Sequence, residues 1–314
     1  VNLSRFGLFM PEKREFFVRD VDLFSFGRSG TAQAFYSRRI GLDDNWQRVP
    51  IIAGGKLVGN VGRTQVGAIE VVTDRAGLPV TNDGVLRALH RFEGGSTFGG
   101  IVTHRLSHSG DVRNLTVGSD MTLRGRNQPL LVEAFALGTS DTGRGTGTHM
   151  SGGGALDLQW RGLVWRPSLG YAFFDRDLRS DLGFFLRTGI HEGSVGLTVE
   201  PRFSGAIEKL TVENTASTVL DQGGDLLDVV VANTTTLTWK AGWWAEILAD
   251  WRTVRATEFD LPDGTTIAPG RYDMARVGLG GGSPWVGKAA VNVNLRARQY
   301  WGGTMLEAIP SFIV

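Results

Sequence analysis

The stretch Ala289-Ala290-Val291-Asn292-Val293-Asn294-Leu295-Arg296-Ala297-Arg298 changes character at nearly every step. Where successive side chains point to opposite faces, Ala289, Val291, Val293, Leu295 and Ala297 share one face. Ala290, Asn292, Asn294, Arg296 and Arg298 share the other, and a period of two is that of a β-strand. The same split separates Leu115, Val117, Met121 and Leu123 from Asn114, Thr116, Asp120, Thr122 and Arg124. It separates Leu156, Leu158 and Trp160 from Asp157, Gln159 and Arg161. Residues 164–173 set Trp165, Leu169, Tyr171 and Phe173 against Arg166, Ser168 and Gly170. Residues 195–202 set Val195, Leu197 and Val199 against Thr198, Glu200 and Arg202.

Composition narrows what such strands can build. The 314 residues carry 33 basic and 32 acidic side chains, so no net field gathers nucleic acid. With no Cys, a disulfide framework, a thiolate zinc site and a cysteine nucleophile are all excluded. The 44 glycines follow no Gly-X-Y period and stand among 17 Phe and 9 Trp, which excludes collagen and disorder. No stretch approaches the roughly 18 apolar residues of a membrane helix. A membrane barrel, by contrast, hides its hydrophobicity by alternating it with a polar lumen face. The chain has no signal peptide and opens with Val1, and it reads as the interior of a longer precursor.

A soluble antiparallel sandwich alternates too. Three features favour the barrel. The alternating runs exceed the usual strand of roughly 5 to 6 residues and suit the 9 to 11 tilted residues that cross a bilayer. Aromatics gather at their ends, as at Trp160, Trp165, Trp239, Trp243, Trp244, Trp285, Tyr300 and Trp301, where interfacial girdles lie. Tight turns are expected near Gly62, Gly94 and Gly95, Gly125 to Asn127, Arg161 and Gly162, Ser204 and Gly205, Lys240 to Gly242, and Gly282 to Trp285. Longer polar connections are expected near 75–83, 107–111, 139–152, 175–192, 217–225 and 257–271. Short turns alternating with long loops are the outer-membrane pattern. The expectation is an all-β, antiparallel, up-and-down transmembrane β-barrel of about sixteen strands.

Residues 1–33 differ. They hold Phe6, Phe9, Phe16, Phe17, Phe24 and Phe26 beside Glu12, Lys13, Arg14 and Glu15 without alternation, and read as a lead-in or plug-like segment before a barrel at 34–314. The runs Arg5-Phe6-Gly7-Leu8-Phe9-Met10-Pro11-Glu12-Lys13-Arg14-Glu15-Phe16-Phe17, Asp22-Leu23-Phe24-Ser25-Phe26-Gly27 and Phe35-Tyr36-Ser37-Arg38-Arg39-Ile40-Gly41 are distinctive. With Pro50-Ile51-Ile52-Ala53-Gly54-Gly55-Lys56-Leu57-Val58-Gly59, Asp181-Leu182-Gly183-Phe184 and Pro269-Gly270-Arg271-Tyr272-Asp273, they carry a resemblance. The chain resembles an uncharacterised family of bacterial outer-membrane barrels whose precursors bear an N-terminal module similar to family-9 carbohydrate-binding domains. The resemblance implies that module, further C-terminal strands beyond Ile313-Val314, and a Gram-negative outer membrane. It implies no catalytic residues.

Candidate chemistry is sparse. His104 and His108, near Asp111, Ser107 and Ser109, offer the residue types of a metal site or a lipase, but in a strand-and-loop context they read as exposed loop histidines. Asp175, Asp177 and Asp181 suggest a loose calcium loop, weakened by Arg176 and Arg179, and read as loop solvation. Gly152-Gly153-Gly154 and Gly280-Gly281-Gly282 lack the strand-to-helix context of a phosphate cradle and read as strand bends. No cofactor and no enzymatic activity are expected.

The lumen face is richer. Asp120, Arg124, Asp157, Arg161, Glu200, Arg202, Glu246, Asp250, Arg252, Arg296 and Arg298 are its candidate charged residues, with Arg276, Asn292 and Asn294 alongside. Paired charges would hold a closed structure, whereas unpaired ones would line a selective pore. The functional expectation is a conduit or membrane anchor for a substrate-binding, saccharide-type module. The alternative is a closed scaffold within an assembly of outer-membrane proteins, and a lipid-cleaving barrel enzyme stands third. Expected partners are outer-membrane lipid, lipopolysaccharide and proteins of such an assembly.

Overall fold

A computed structural model describes residues 9–43, 47–74, 80–109, 113–126, 128–143, 147–261, 264–285 and 287–313. The alternating runs form strands, although the run at 156–161 stops at Trp160 and the run at 195–202 stops at Val199. Fifteen long strands follow residue 50: β1 (Ile51–Val61), β2 (Thr64–Thr73), β3 (Thr81–Arg91), β4 (Thr97–Ser107), β5 (Arg113–Arg124), β6 (Leu130–Thr142), β7 (Thr148–Trp160) and β8 (Trp165–Phe174). Then come β9 (Ile190–Val199), β10 (Ile207–Asp221), β11 (Leu226–Trp239), β12 (Trp244–Ala256), β13 (Gly270–Gly282), β14 (Ala290–Tyr300) and β15 (Gly303–Ile313). Most run 10 to 15 residues. They form one antiparallel up-and-down sheet in which each strand neighbours the next in chain order.

One expectation is corrected. The described residues form fifteen long strands, close to the sixteen or so expected, but the sheet does not close into a barrel. Its order is linear, with β1 at one edge and β15 at the other, and a barrel requires these two edges to be paired. The rhythm of connections is also less regular. The long loops expected at 139–152 and 217–225 are hairpins, because β6, β7 and β10 extend through most of those residues. Asn127 and 75–79 lie outside the described residues. Between β14 and β15, Trp301 (φ 49°) and Gly302 (φ 87°) make a two-residue turn of the type that matches strand twist. The Trp301 ring is held edge-on by Phe259, Tyr272 and Tyr300.

The chain divides into two compact units whose boundaries fall inside β7, β8 and β9. One comprises Phe6–Asp157 and Ala172–His191, the other chiefly Leu158–Tyr171 and Glu192–Val314. The first holds most of the core. Its residues before β1 form two single-turn helices (Glu15–Val18, Val21–Phe24), a short pair (Gly27–Arg28 with Ala32–Gln33) and a 3-10 turn (Ser37–Arg39). Ala32–Gln33 pairs on its other side with Phe184–Phe185, from the loop between β8 and β9. Phe17, Leu23, Phe24, Phe26, Phe35 and Ile40 are buried. This segment is a covering layer built on the aromatic cluster, and its buried side chains continue to Ile40.

Candidate functional site: the polar face of the sheet

On β3, β4, β5 and β7 alternation gives a covered and an exposed face, and large apolar side chains stand on the exposed one. Leu86 on β3 is 58 % exposed, and Phe98, Val117 and Leu156 on β4, β5 and β7 are likewise open. The opposite face carries Asp83, Arg87, Thr103, Arg105, Asn114, Thr116, Thr139 and Asp141, all buried. A sheet packed for water leaves its charged side chains outside; here these polar and charged groups are buried, beside Val85 and Ile101, while Leu86, Phe98, Val117 and Leu156 stand outside.

Residues 9–43 and the β8–β9 loop cover that polar face through hydrogen bonds to their backbone. Arg87, 1 % exposed, makes a two-pronged ion pair with Asp120 at 2.6 and 2.7 Å. Its other guanidinium donors reach the carbonyls of Leu23 (3.1 Å) and Ser25 (3.3 Å), and the group lies 5.5 Å from the Phe26 ring centroid. Arg105 forks onto Asp83 at 2.7 and 2.8 Å and donates to the Arg39 carbonyl at 3.1 Å. Asn114 donates to Asp141 (3.1 Å) and to the Arg179 carbonyl (3.0 Å), and accepts from the Asp181 amide (2.9 Å). Arg87 and Arg105 are thus each answered by a carboxylate while further donors of both reach carbonyls, the condition under which buried pairs hold together.

Glycine makes this approach possible at two places. A Cβ on Gly67 would lie 2.7 Å from Leu23 and from Phe24, and one on Gly118 would lie 2.6 Å from Phe26. Within the covering layer, Glu12 takes a forked bond from Arg14 (3.0 and 2.8 Å) and a bond from the Ser37 hydroxyl (2.6 Å). Arg14 also donates to the carbonyls of Ile40 (3.0 Å) and Ser37 (2.8 Å). Burial opposes ionisation of Glu12, but these bonds and the Arg14 charge outweigh it and hold the carboxyl at about 2.

The charged residues expected from sequence divide as follows. Asp120 and Asp157 belong to the first unit, paired with Arg87 and with Arg28 (3.0 and 2.8 Å) respectively. Arg124 ends β5 exposed, donating to the Gly95 carbonyl at 3.2 Å. Arg161 lies past the end of β7 and donates to Gln159 at 2.8 Å. Glu200 and Arg202 lie past β9, where Arg166, Arg202 and Lys209 all approach the Glu200 carboxylate at 3.2 to 3.3 Å. On the second unit, Glu246 accepts from Thr236 at 3.4 Å, Asp250 pairs with Arg276, and Arg298 pairs with Glu307 at 2.6 Å. Arg252 and Arg296 share that face without an ion pair among the described residues.

Sequence reading missed Asp83, Arg87 and Arg105. Their strands carry Val85, Leu89 and Ile101 on the same covered face, so the greasy and polar sets mix. The signal that could have found them is the phenylalanine-rich segment, which needs an apolar landing site. His104 is corrected: it sits within β4, not in a loop, on the exposed face with Nε2 3.0 Å from Glu70 Oε1. Asp111 lies outside the described residues. No group of three or more His, Asp or Glu able to hold a metal occurs among the described residues. Asp175 instead accepts from the Gly152 amide at 2.9 Å, and Asp181 is buried beside Arg179.

No helix among the described residues is long and apolar enough to cross a membrane, which leaves strand-based crossing untouched. In comparisons with known proteins, no family model and no curated protein matches the chain.

Proposed function

We propose that the chain forms the wall of an outer-membrane β-barrel that anchors a substrate-binding module, of the saccharide-binding kind the resemblance implies, and provides its conduit across the membrane. The observation that carries this reading is the division of side chains between the faces: exposed Leu86, Phe98, Val117 and Leu156 against buried Arg87, Arg105 and Asn114. Lipid rewards such a sheet and water penalises it. Lipid also requires the edges at β1 and β15 to be paired, so closure of those edges is part of the proposal.

A second reading, a closed scaffold for partner proteins, is favoured by the ion-paired covering of the polar face by residues 9–43. One preparation tests both. Full-length protein from native membranes is expected in the outer-membrane fraction, and in planar bilayers it should give steady ohmic conductance. A silent barrel carrying a stoichiometric partner would favour the scaffold. Recovery in the water-soluble fraction, without detergent, would remove both readings.

A further inference from the structure

The polar face of the second unit carries more guanidinium than carboxylate at one place. Cross-strand register sets Asp250, Arg276 and Arg298 side by side on β12, β13 and β14. One row along, Arg296 stands between Gly278 of β13 and Glu307 of β15. Arg252 lies two residues from Asp250 and therefore on the same face. Two carboxylates answer two of these four arginines, Asp250 taking Arg276 and Glu307 taking Arg298. The remaining acid of this face of β12, Glu246, lies four residues from Asp250 and accepts from Thr236. On the same face β13 supplies glycine at 278, 280 and 282 and no acid.

Arg252 and Arg296 are therefore left without an ion pair or hydrogen bond among the described residues. The Nε atoms of Arg296 and Arg298 are buried and have no acceptor. A buried donor without a partner is costly enough to require an explanation, and a bound ion is one of the few available. A cavity of about 110 Å³ lies among Asp250, Arg252, Arg276, Arg298, Gln299 and Tyr300. It has room for one small oxyanion group. Planar guanidinium forks match the two oxygens of a carboxylate or phosphoryl group.

We propose that this cluster is an oxyanion site, with Arg252 the unpaired ligand, Arg298 and Arg276 its flanks, and Arg296 adding positive field. The occupant is the carboxylate or phosphoryl group of a solute. This assignment deepens the conduit reading by naming the class of solute, and rests on it only for the route by which the anion arrives.

The test titrates full-length, detergent-purified protein with inorganic phosphate by calorimetry, in a buffer free of other oxyanions. Saturable binding is expected. Arg252→Gln should weaken it roughly tenfold or more, since a hydrogen bond to a charged group is lost. Arg252→Lys should recover part of it, because charge is kept and the fork is not. Arg161→Gln, remote from the cavity, should leave it unchanged, and heat-modifiable gel mobility confirms that each variant folds. No saturable heat in the wild type, or equal affinity in wild type and Arg252→Gln, overturns the site. Phospholipid co-purifying one-to-one and lost in Arg252→Gln overturns the solute as the source of the oxyanion. In planar bilayers, phosphate binding by a barrel that does not conduct supports the site and removes the conduit. Conduction without anion preference or phosphate binding does the reverse.

Discussion

At the scale of the residue, the polar face is governed by the difference between a paired and an orphaned buried charge. Arg87 is inaccessible and its charge is answered by Asp120. Asp120→Asn keeps the shape and removes the charge, leaving an uncompensated guanidinium, and should destabilise the fold by about 3 kcal/mol. Arg87→Met with Asp120→Leu should recover part of that loss, because an apolar pair of similar volume leaves no uncompensated buried charge, although the Leu23 and Ser25 carbonyls lose their donor. Denaturant titration of the two variants in detergent micelles checks this; a double variant as unstable as the single one would refute it. Glu12 supplies a pH dependence with a definite sign. Its folded pKa of about 2 lies below the ordinary 4.5, so it contributes stability above pH 4.5 that is lost as pH falls towards 2. Proteolysis within residues 9–43 should therefore rise across that window, and Glu12→Gln should be cleaved readily at pH 6 and change little on acidification. Wild-type cleavage that stays flat between those limits would count against the Glu12 latch.

At the scale of the element, neighbouring positions on one strand separate the two environments. Val117 and Gly118 of β5 point to opposite faces, Val117 half exposed and Gly118 beneath Phe26. Gly118→Val should push Phe26 off the sheet and cost about 1–3 kcal/mol by overpacking, read as easier release of residues 9–43. Val117→Arg should cost roughly 2–4 kcal/mol when the strand crosses a bilayer at mid-depth. In a water-facing sheet the same change would be near neutral, so equal stability of Val117→Arg and wild type in lipid would argue against the membrane reading. Strands β5, β7 and β14 were legible because their large apolar side chains fall on one face and most of their charged and amide side chains on the other. Strands β2, β3, β4 and β6 blur, since Ile69, Val71, Ile101, Leu131, Phe135 and Leu137 join the covered face to receive the phenylalanines of the covering segment. Local alternation records only which faces differ, and a segment arriving from residues 9–43 rewrites one of them. The same long-range contact hid Arg87 and Arg105. Asp250, Arg296 and Arg298 were readable from the alternation of their own strands.

At the scale of the whole molecule, the free edges of the sheet decide whether it can live in lipid. The outer sides of β1 and β15 have no ladder partner among the described residues. Water satisfies unpaired amide and carbonyl groups, but hydrocarbon does not, and each one left unpaired there costs several kcal/mol. β15 includes Pro310, which removes one donor from its ladder, a feature tolerated at an edge and awkward elsewhere. Edges of this kind also invite uncontrolled pairing between chains. A membrane-embedded form must therefore close them, and amide hydrogen exchange reads closure directly. In lipid vesicles the amides of Ile51–Val61 and Gly303–Ile313 should be as protected as those of Thr64–Thr73, which has a neighbour on both sides. In detergent, if the linear order persists, the two edge strands should exchange markedly faster than the strands between them. Fast exchange at both edges in vesicles would mean that the sheet rests at the bilayer without crossing it, and the conduit would go with the barrel.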